Sequence, residues 1–385
     1  MKDISIYLSP RQKSESSISE SIAEHIISHT EDFFPDLEKN NIAIISCPEY
    51  RKDSQENIEY NDENNFYTYL ENLHFGETWQ FKIYDLGILK PGNEIKDTYY
   101  AINQVVLELI KHDIIPIVIG GSQDLTFPMY QAYQQLEQMV NLTCIDSKFD
   151  LGSPDEPLKS DAYISQILMH RPCYLFNAAS IGIQAPYVKK SELDLFEKLY
   201  FDVCRLGEFN SDFKIAEPLL RNTDLLSLDL NAIRNSDFQS EKNSPNGFYA
   251  DQICQISKYA GISDKLTSFG IFNVPQTGNK TKNNELIAEI IWYFLDGVSQ
   301  RKGDFPLGSK KDYTKFIVHL ESSKDDITFF KSPKSDRWWM EVPYPNQDNS
   351  KYERHHLVPC NYQDYQAAMK NEMPNLWWKT YQKLI

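Results

Sequence analysis

Short apolar runs rich in β-branched residues recur along this chain, and most are followed by a longer amphipathic stretch. Residues 41–47 (NIAIISC), 81–87 (FKIYDLG), 114–121 (IIPIVIGG), 142–146 (LTCID), 173–183 (CYLFNAASIGI), 200–204 (YFDVC), 224–230 (DLLSLDL) and 266–272 (LTSFGIF) each read as a strand. Residues 99–113 read as a helix with Val105, Leu109 and Ile110 on one face, and residues 284–297 as an apolar closing helix stopped by Gly297. Continuously apolar strands alternating with helices imply a mainly parallel sheet covered on both faces, so the fold class is α/β.

Two ends depart from that rhythm. In residues 1–40, Ile18, Ile22, Ile26 and Ile27 fall at helical intervals, which predicts a helical N-terminal arm. Residues 41–305 form the α/β domain, with a polar loop at 51–64. Residues 306–385 form an aromatic-rich C-terminal extension: a strand at 315–320, a hairpin about residues 332–335, then two short helical pieces.

A formal net charge of -16 excludes nucleic acid as the main partner, since that partner demands a basic surface. No apolar run approaches the roughly 20 residues that span a bilayer, and the polar start carries no signal sequence, so no membrane insertion and a cytoplasmic location are expected. Cys47, Cys144, Cys173, Cys204, Cys254 and Cys360 are scattered without a CxxC pair, so buried reduced thiols are expected. His355 and His356, close to Cys360, have no carboxylate at ligand spacing.

In an open parallel sheet, ligands sit at the carboxyl ends of the strands. Three strand ends carry polar clusters: GGSQDLT at residues 120–126, DSKFD at 146–150 and SLDLN at 227–231. In this order these resemble the GGDHS, DAHxD and SxDxD motifs of the arginase, agmatinase and formimidoylglutamase family. GIQ at 182–184 and PNGF at 245–248 add to the likeness, which runs from about residue 41 to residue 297. The resemblance implies a three-layer arginase-like fold. It also implies a pair of Mn2+ ions held by six side chains, which activate a bridging water for C–N hydrolysis.

Carried over position by position, those six side chains are Gln123, Asp146, Lys148, Asp150, Asp229 and Asn231. Both histidines of the motifs are replaced, by Gln123 and Lys148, and the last aspartate by Asn231. Gln123, Asp146, Asp150 and Asp229 would still offer one hard divalent cation, Mn2+ or Mg2+, an all-oxygen site. Lys148 has no lone pair to give at neutral pH. It is expected to replace the second ion, with Nζ within salt-bridge reach of Asp146 or Asp229. The family's substrate-binding glutamate falls on Phe272, and the loop at 151–166 contains no histidine for proton transfer.

These departures predict a non-catalytic family member acting through binding or assembly, with no catalytic residue and no cofactor, or at most one divalent cation at Asp146, Asp150 and Asp229. The alternatives are a metal-dependent C–N hydrolase of a guanidino or formimidoyl substrate, formimidoylglutamase- or agmatinase-like and working with as few as one metal, and a small-ligand sensor using the old pocket. Trp338 and Trp339 are candidate anchors for a protein partner on the extension, against the reading that they fill its core. Family members form trimers or hexamers, and such an extension would alter or block that assembly.

Overall fold

The strand that leads into the first polar cluster, Ile115–Ile119, is buried along its whole length, as a strand covered on both faces must be. The computed structural model describes residues 2–11, 18–53, 66–152, 158–275, 279–306, 310–321, 326–344 and 355–385. In chain order the first ten strands are β1 (Leu8–Ser9), β2 (Ile26–Ser28), β3 (Ile42–Ser46), β4 (Ile83–Leu89), β5 (Ile115–Ile119), β6 (Val140–Ile145), β7 (Leu175–Ile183), β8 (Asp202–Arg205), β9 (Leu225–Asp229) and β10 (Ser268–Phe272). They form one sheet in the order β1-β4-β3-β5-β10-β9-β6-β7-β8, with β2 also pairing β4. The pairings are parallel except that of β1 with β4.

Helices cover both faces, which makes the three layers. The helices are α1 (Phe66–Glu71), α2 (Ile95–Lys111), α3 (Thr126–Gln135), α4 (Tyr163–Met169), α5 (Lys190–Lys198), α6 (Leu206–Ser211), α7 (Ala216–Arg221), α8 (Ala250–Ile262) and α9 (Lys280–Ser299). Alternate residues of β3 serve the two cores: Ile42 and Ile44 join a cluster with α1, α8 and α9, while Ala43 and Ile45 join one with α2 and α3. Each of these isoleucines contributes about 1.5–3 kcal/mol when fully buried.

The N-terminal arm is not the helix expected. It holds β1, β2 and short 3-10 turns at Ser5–Tyr7 and Ile22–Glu24. The isoleucine spacing arose because Ile22 and Ile26 both reach the core from a mostly extended chain, with Ile26 opposite Ile83 of β4. Arg11 locks this segment down: its Nε is 2.6 Å from Asp85, it also pairs with Glu71, and it lies over the Tyr67 ring at 3.9 Å. The closing helix also differs, since α9 runs past Gly297 to Ser299. Gly297 is there for contact rather than termination: a Cβ on it would sit 2.3 Å from the Lys258 carbonyl oxygen and 3.0 Å from Gly261 on α8. Much of the loop at 51–64 lies outside the described residues.

The extension is a second, four-stranded antiparallel sheet of β11 (Thr314–Val318), β12 (Ile327–Lys331), β13 (Trp338–Pro343) and β14 (His355–Cys360), followed by α10 (Tyr362–Met369) and α11 (Asn375–Leu384). The turn at 332–335 joins β12 to β13 as expected. β14 was not anticipated, because its sequence, HHLVPC, is polar at one end and contains a proline. Pro359 is tolerated because β14 is an edge strand of that sheet. Trp338 and Trp339 are 8% and 1% exposed, so both are buried and not surface anchors. Trp338 belongs to the small core, where it packs with Phe316 and Tyr365, and Trp339 packs against Phe305, Tyr313 and Arg221.

The extension attaches at the amino ends of β7, β8 and β9. Arg221, just before β9, donates to the carbonyls of Trp338 (2.9 Å) and Cys360 (2.8 Å) and lies 4.6 Å from the Trp339 ring centroid. Lys379 and Lys383 on α11 reach Asp202 and Asn177 at the starts of β8 and β7. The extension is therefore at the opposite end of the sheet from the three polar clusters.

Candidate functional site

The three clusters converge at the carboxyl ends of β5, β6 and β9. After β5 the chain turns through Gly120 (φ 104°) and Gly121 (φ 68°). A Cβ on Gly121 would meet the Glu49 carbonyl oxygen at 2.7 Å, so only glycine fits. That turn delivers Gln123, buried at the start of a short 3-10 turn. Asp146 follows β6 directly, Asp150 lies one turn later at φ 47°, and Asp229 ends β9. All three carboxylates are buried, at 1%, 4% and 1% exposure.

Gln123 joins them. Its amide satisfies its neighbours only with Nε2 turned toward the acids, where it lies 3.0 Å from Asp150 Oδ2, 3.2 Å from Asp146 Oδ2 and 3.3 Å from Asp229 Oδ2. Its Oε1 then accepts from the Tyr163 hydroxyl at 3.1 Å. Cys144 Sγ is 3.2 Å from that hydroxyl, and burial pushes the Cys144 thiol well up, which makes it inert rather than nucleophilic.

Lys148 pairs with Asp150, Nζ to Oδ1 at 3.2 Å, and not with Asp146 or Asp229 as expected. Asp150 has a positive φ, and Asp146 Oδ1 accepts the Lys148 backbone N–H at 3.1 Å. The lysine side chain is 43% exposed, and its Nζ reaches the buried Asp150 Oδ1. The charge of Asp150, with those of Asp146 and Asp229, raises the Lys148 pKa and keeps it an ammonium.

Burial is the largest influence on all three acids. It raises Asp146 well above the ordinary carboxylate range, helped by the charges of Asp150 and Asp229. It raises Asp150 against the pull of Lys148, and carries Asp229 to about 6.

Two contributors escaped the sequence reading. Asn273, directly after β10 at φ 60°, donates to Asp229 Oδ1 at 2.7 Å. Tyr163, at the start of α4, holds the far side of Gln123. The signal for Asn273 was present, since asparagine tolerates the left-handed turn that follows a central strand. The Asn231 backbone N–H also donates to Asp229 Oδ1, at 2.7 Å, and its side-chain Oδ1 is buried without a partner. Phe272, at the position of the family's substrate glutamate, is fully buried in the core.

The rim is tied together. Gln184 and Asn246 exchange two hydrogen bonds, at 2.8 and 3.2 Å, joining the loop that holds PNGF to the end of β7. His356 is far away, beside Phe176 at 5.0 Å, and the side chain of His355 lies outside the described residues. Among the described residues, no group of three or more His, Cys, Asp and Glu side chains is arranged to hold a metal ion, and no helix is long and apolar enough to cross a membrane.

Comparison with known proteins agrees with this architecture. The formiminoglutamase of Trypanosoma cruzi, crystallised with Mn2+, superposes with a TM-score of 0.61 at 16% identity, covering 68% of this chain and 94% of that one. The formimidoylglutamase of Bacillus subtilis gives 0.63 at 15% identity, covering 75% and 96%. The agmatine ureohydrolase of Thermoplasma volcanium gives 0.58 at 16% identity, covering 73% and 94%. At such identities the likeness establishes the fold alone. In sequence, a formimidoylglutamase of Geobacillus sp. (strain WCH70) is 31% identical over 90 residues, which span 22% of this chain and 28% of that relative. A sequence model of the arginase family matches residues 54–295, more than half of the chain and all three polar clusters. With that match and the three-layer fold, the chain belongs to the arginase family.

Proposed function

We propose that this protein uses the arginase fold for binding or assembly rather than for two-metal hydrolysis. The observation that carries this reading is the Lys148–Asp150 ion pair at 3.2 Å, in which one ligand position of the family's site supplies a cation to another. A Mn2+ pair does not fit these residues: the second ion would have an ammonium and the neutral Asn231 where the family supplies an imidazole and a carboxylate. Assembly through the extension belongs to this reading, with Tyr362 and Trp378 (53% and 47% exposed) among its accessible aromatics. A cytoplasmic location is supported by six free cysteines.

A second reading is a metal-dependent hydrolase of a guanidino or formimidoyl C–N bond using one ion. It is supported by the names of the relatives and by one distance pattern. The terminal amide atom of Gln123 lies 3.0–3.3 Å from three carboxylate oxygens, about the separation of adjacent ligands around an ion with bonds of roughly 2.1–2.3 Å. In that state Gln123 would turn Oε1 inward and join Asp146, Asp150 and Asp229 in holding the ion, which would supply an activated water.

The test is to supply Mn2+ to the purified protein and measure metal content together with urea and formamide release from guanidino and formimidoyl substrates. The first reading expects no turnover. Two tightly held ions with turnover would overturn it, and one ion with turnover would establish the second.

A further inference from the structure

Each carboxylate of the cluster has a protein donor or cation against it. Asp146 Oδ1 takes the Lys148 backbone N–H, Asp150 Oδ1 takes Lys148 Nζ, Asp229 Oδ1 takes the Asn231 N–H and Asn273 Nδ2, and the three Oδ2 atoms face Gln123 Nε2. Three buried carboxylates need counter-charge or protons, because unpaired charge in the interior costs several kcal/mol for each ion. Here that compensation comes from within the chain. One ammonium supplies full charge, and one amide supplies two N–H dipoles.

We infer that Lys148 and Gln123 replace both metal ions as the internal cation and dipole of this cluster, so that the folded protein keeps its three buried carboxylates compensated without a divalent cation. The inference rests on the reading that the metal pair is absent, and it adds what has taken its place. The division of labour follows the chemistry of the two side chains. Gln123 is buried and reaches all three acids, where a second full charge would be too costly to desolvate. Lys148 is 43% exposed, where an ammonium keeps part of its hydration.

The experiment compares thermal unfolding of the wild type, Lys148→Met, and the triple variant Q123H/K148H/N231D, each with EDTA or with Mn2+, and measures bound Mn2+ after gel filtration. The wild type is expected to hold less than one ion per chain with its melting temperature unmoved by Mn2+. Lys148→Met is expected to melt lower in EDTA and to be rescued by Mn2+. The triple variant is expected to retain Mn2+, with a rise of about 5 °C at a hundredfold excess over its dissociation constant. A wild type that binds one ion stoichiometrically and melts higher with it overturns the inference; without turnover, the non-hydrolytic reading survives. Lys148→Met as stable as the wild type in EDTA and indifferent to Mn2+ also overturns it, even if the triple variant fails to fold.

Discussion

Arg221 joins the two sheets, and its removal offers a measurable test of how they are coupled. The guanidinium is 4% exposed on its side chain, pairs with Glu217 at 2.9 Å, and donates to the carbonyls of Trp338 and Cys360 across the junction. Truncation to alanine leaves two buried carbonyls without donors, each costing about 1–3 kcal/mol. It also loses a cation–π contact with Trp339 worth about 0.5–2 kcal/mol. Glu217 keeps access to water, so its lost partner adds little. The expected loss is about 4 kcal/mol at the junction. Four of the six tryptophans lie in the extension, so urea unfolding followed by tryptophan emission reports mainly on that unit. For Arg221→Ala, emission should shift at lower urea than far-UV circular dichroism is lost. Arg221→Met keeps a stem over Trp339 without the donors and should recover only the smaller, stacking part. Coincident transitions for Arg221→Ala at the wild-type midpoint would refute the claim that this arginine couples the two sheets.

Gly297→Ala should raise helix propensity by about 1 kcal/mol. It should nevertheless destabilise, because its Cβ would lie 2.3 Å from the Lys258 carbonyl oxygen; a net gain in chemical denaturation would show that α8 and α9 can separate freely. Trp339→Ala should cost about 3–5 kcal/mol as a core truncation, whereas the half-exposed Trp378→Ala should stay within about 0.5 kcal/mol; equal effects would contradict the assigned burial. Burial, followed by the charges of Lys265 and Lys383, lowers His356 from 6.5 to about 4. Its folded form binds the proton less readily than the unfolded chain, so the stability tied to its neutral state is present above about 6.5 and lost as the pH falls toward 4. The loss is up to about 3 kcal/mol. His356→Phe should flatten that part of the pH profile, and an unchanged slope would sink the assignment.

The central strands were legible because burial on both faces makes them continuously apolar, and β3, β5 and β9 are buried at every position. What misled was a pattern with two possible causes. Of the isoleucines spaced for a helix in residues 18–27, Ile22 and Ile26 reach the core instead through a 3-10 turn and a short parallel strand, while Ile18 is exposed; the choice depends on β4 being there to pair with. β14 was hidden for the converse reason: an edge strand can carry polar residues and Pro359 because one of its sides needs no ladder partner. Gly297 read as a stop because a contact glycine and a capping glycine look alike until the facing helix is placed.

At the candidate site, sequence motifs named the six positions but not who pairs with whom. Lys148 pairs with Asp150, whose φ is 47°, and Asn273 and Tyr163 enter from segments that only the fold brings near. The fold also separates two questions that the sequence had joined. The extension is fixed to the amino ends of β7–β9, and the carboxylate cluster lies at the carboxyl ends of β5, β6 and β9, so the sheet stands between them. An effect of the extension on assembly therefore need not alter the pocket, and a change at Lys148 need not loosen the extension. If Lys148→Met shifted the emission of Trp338 and Trp339 as strongly as Arg221→Ala does, the two ends would be coupled through the sheet, and this separation would fail.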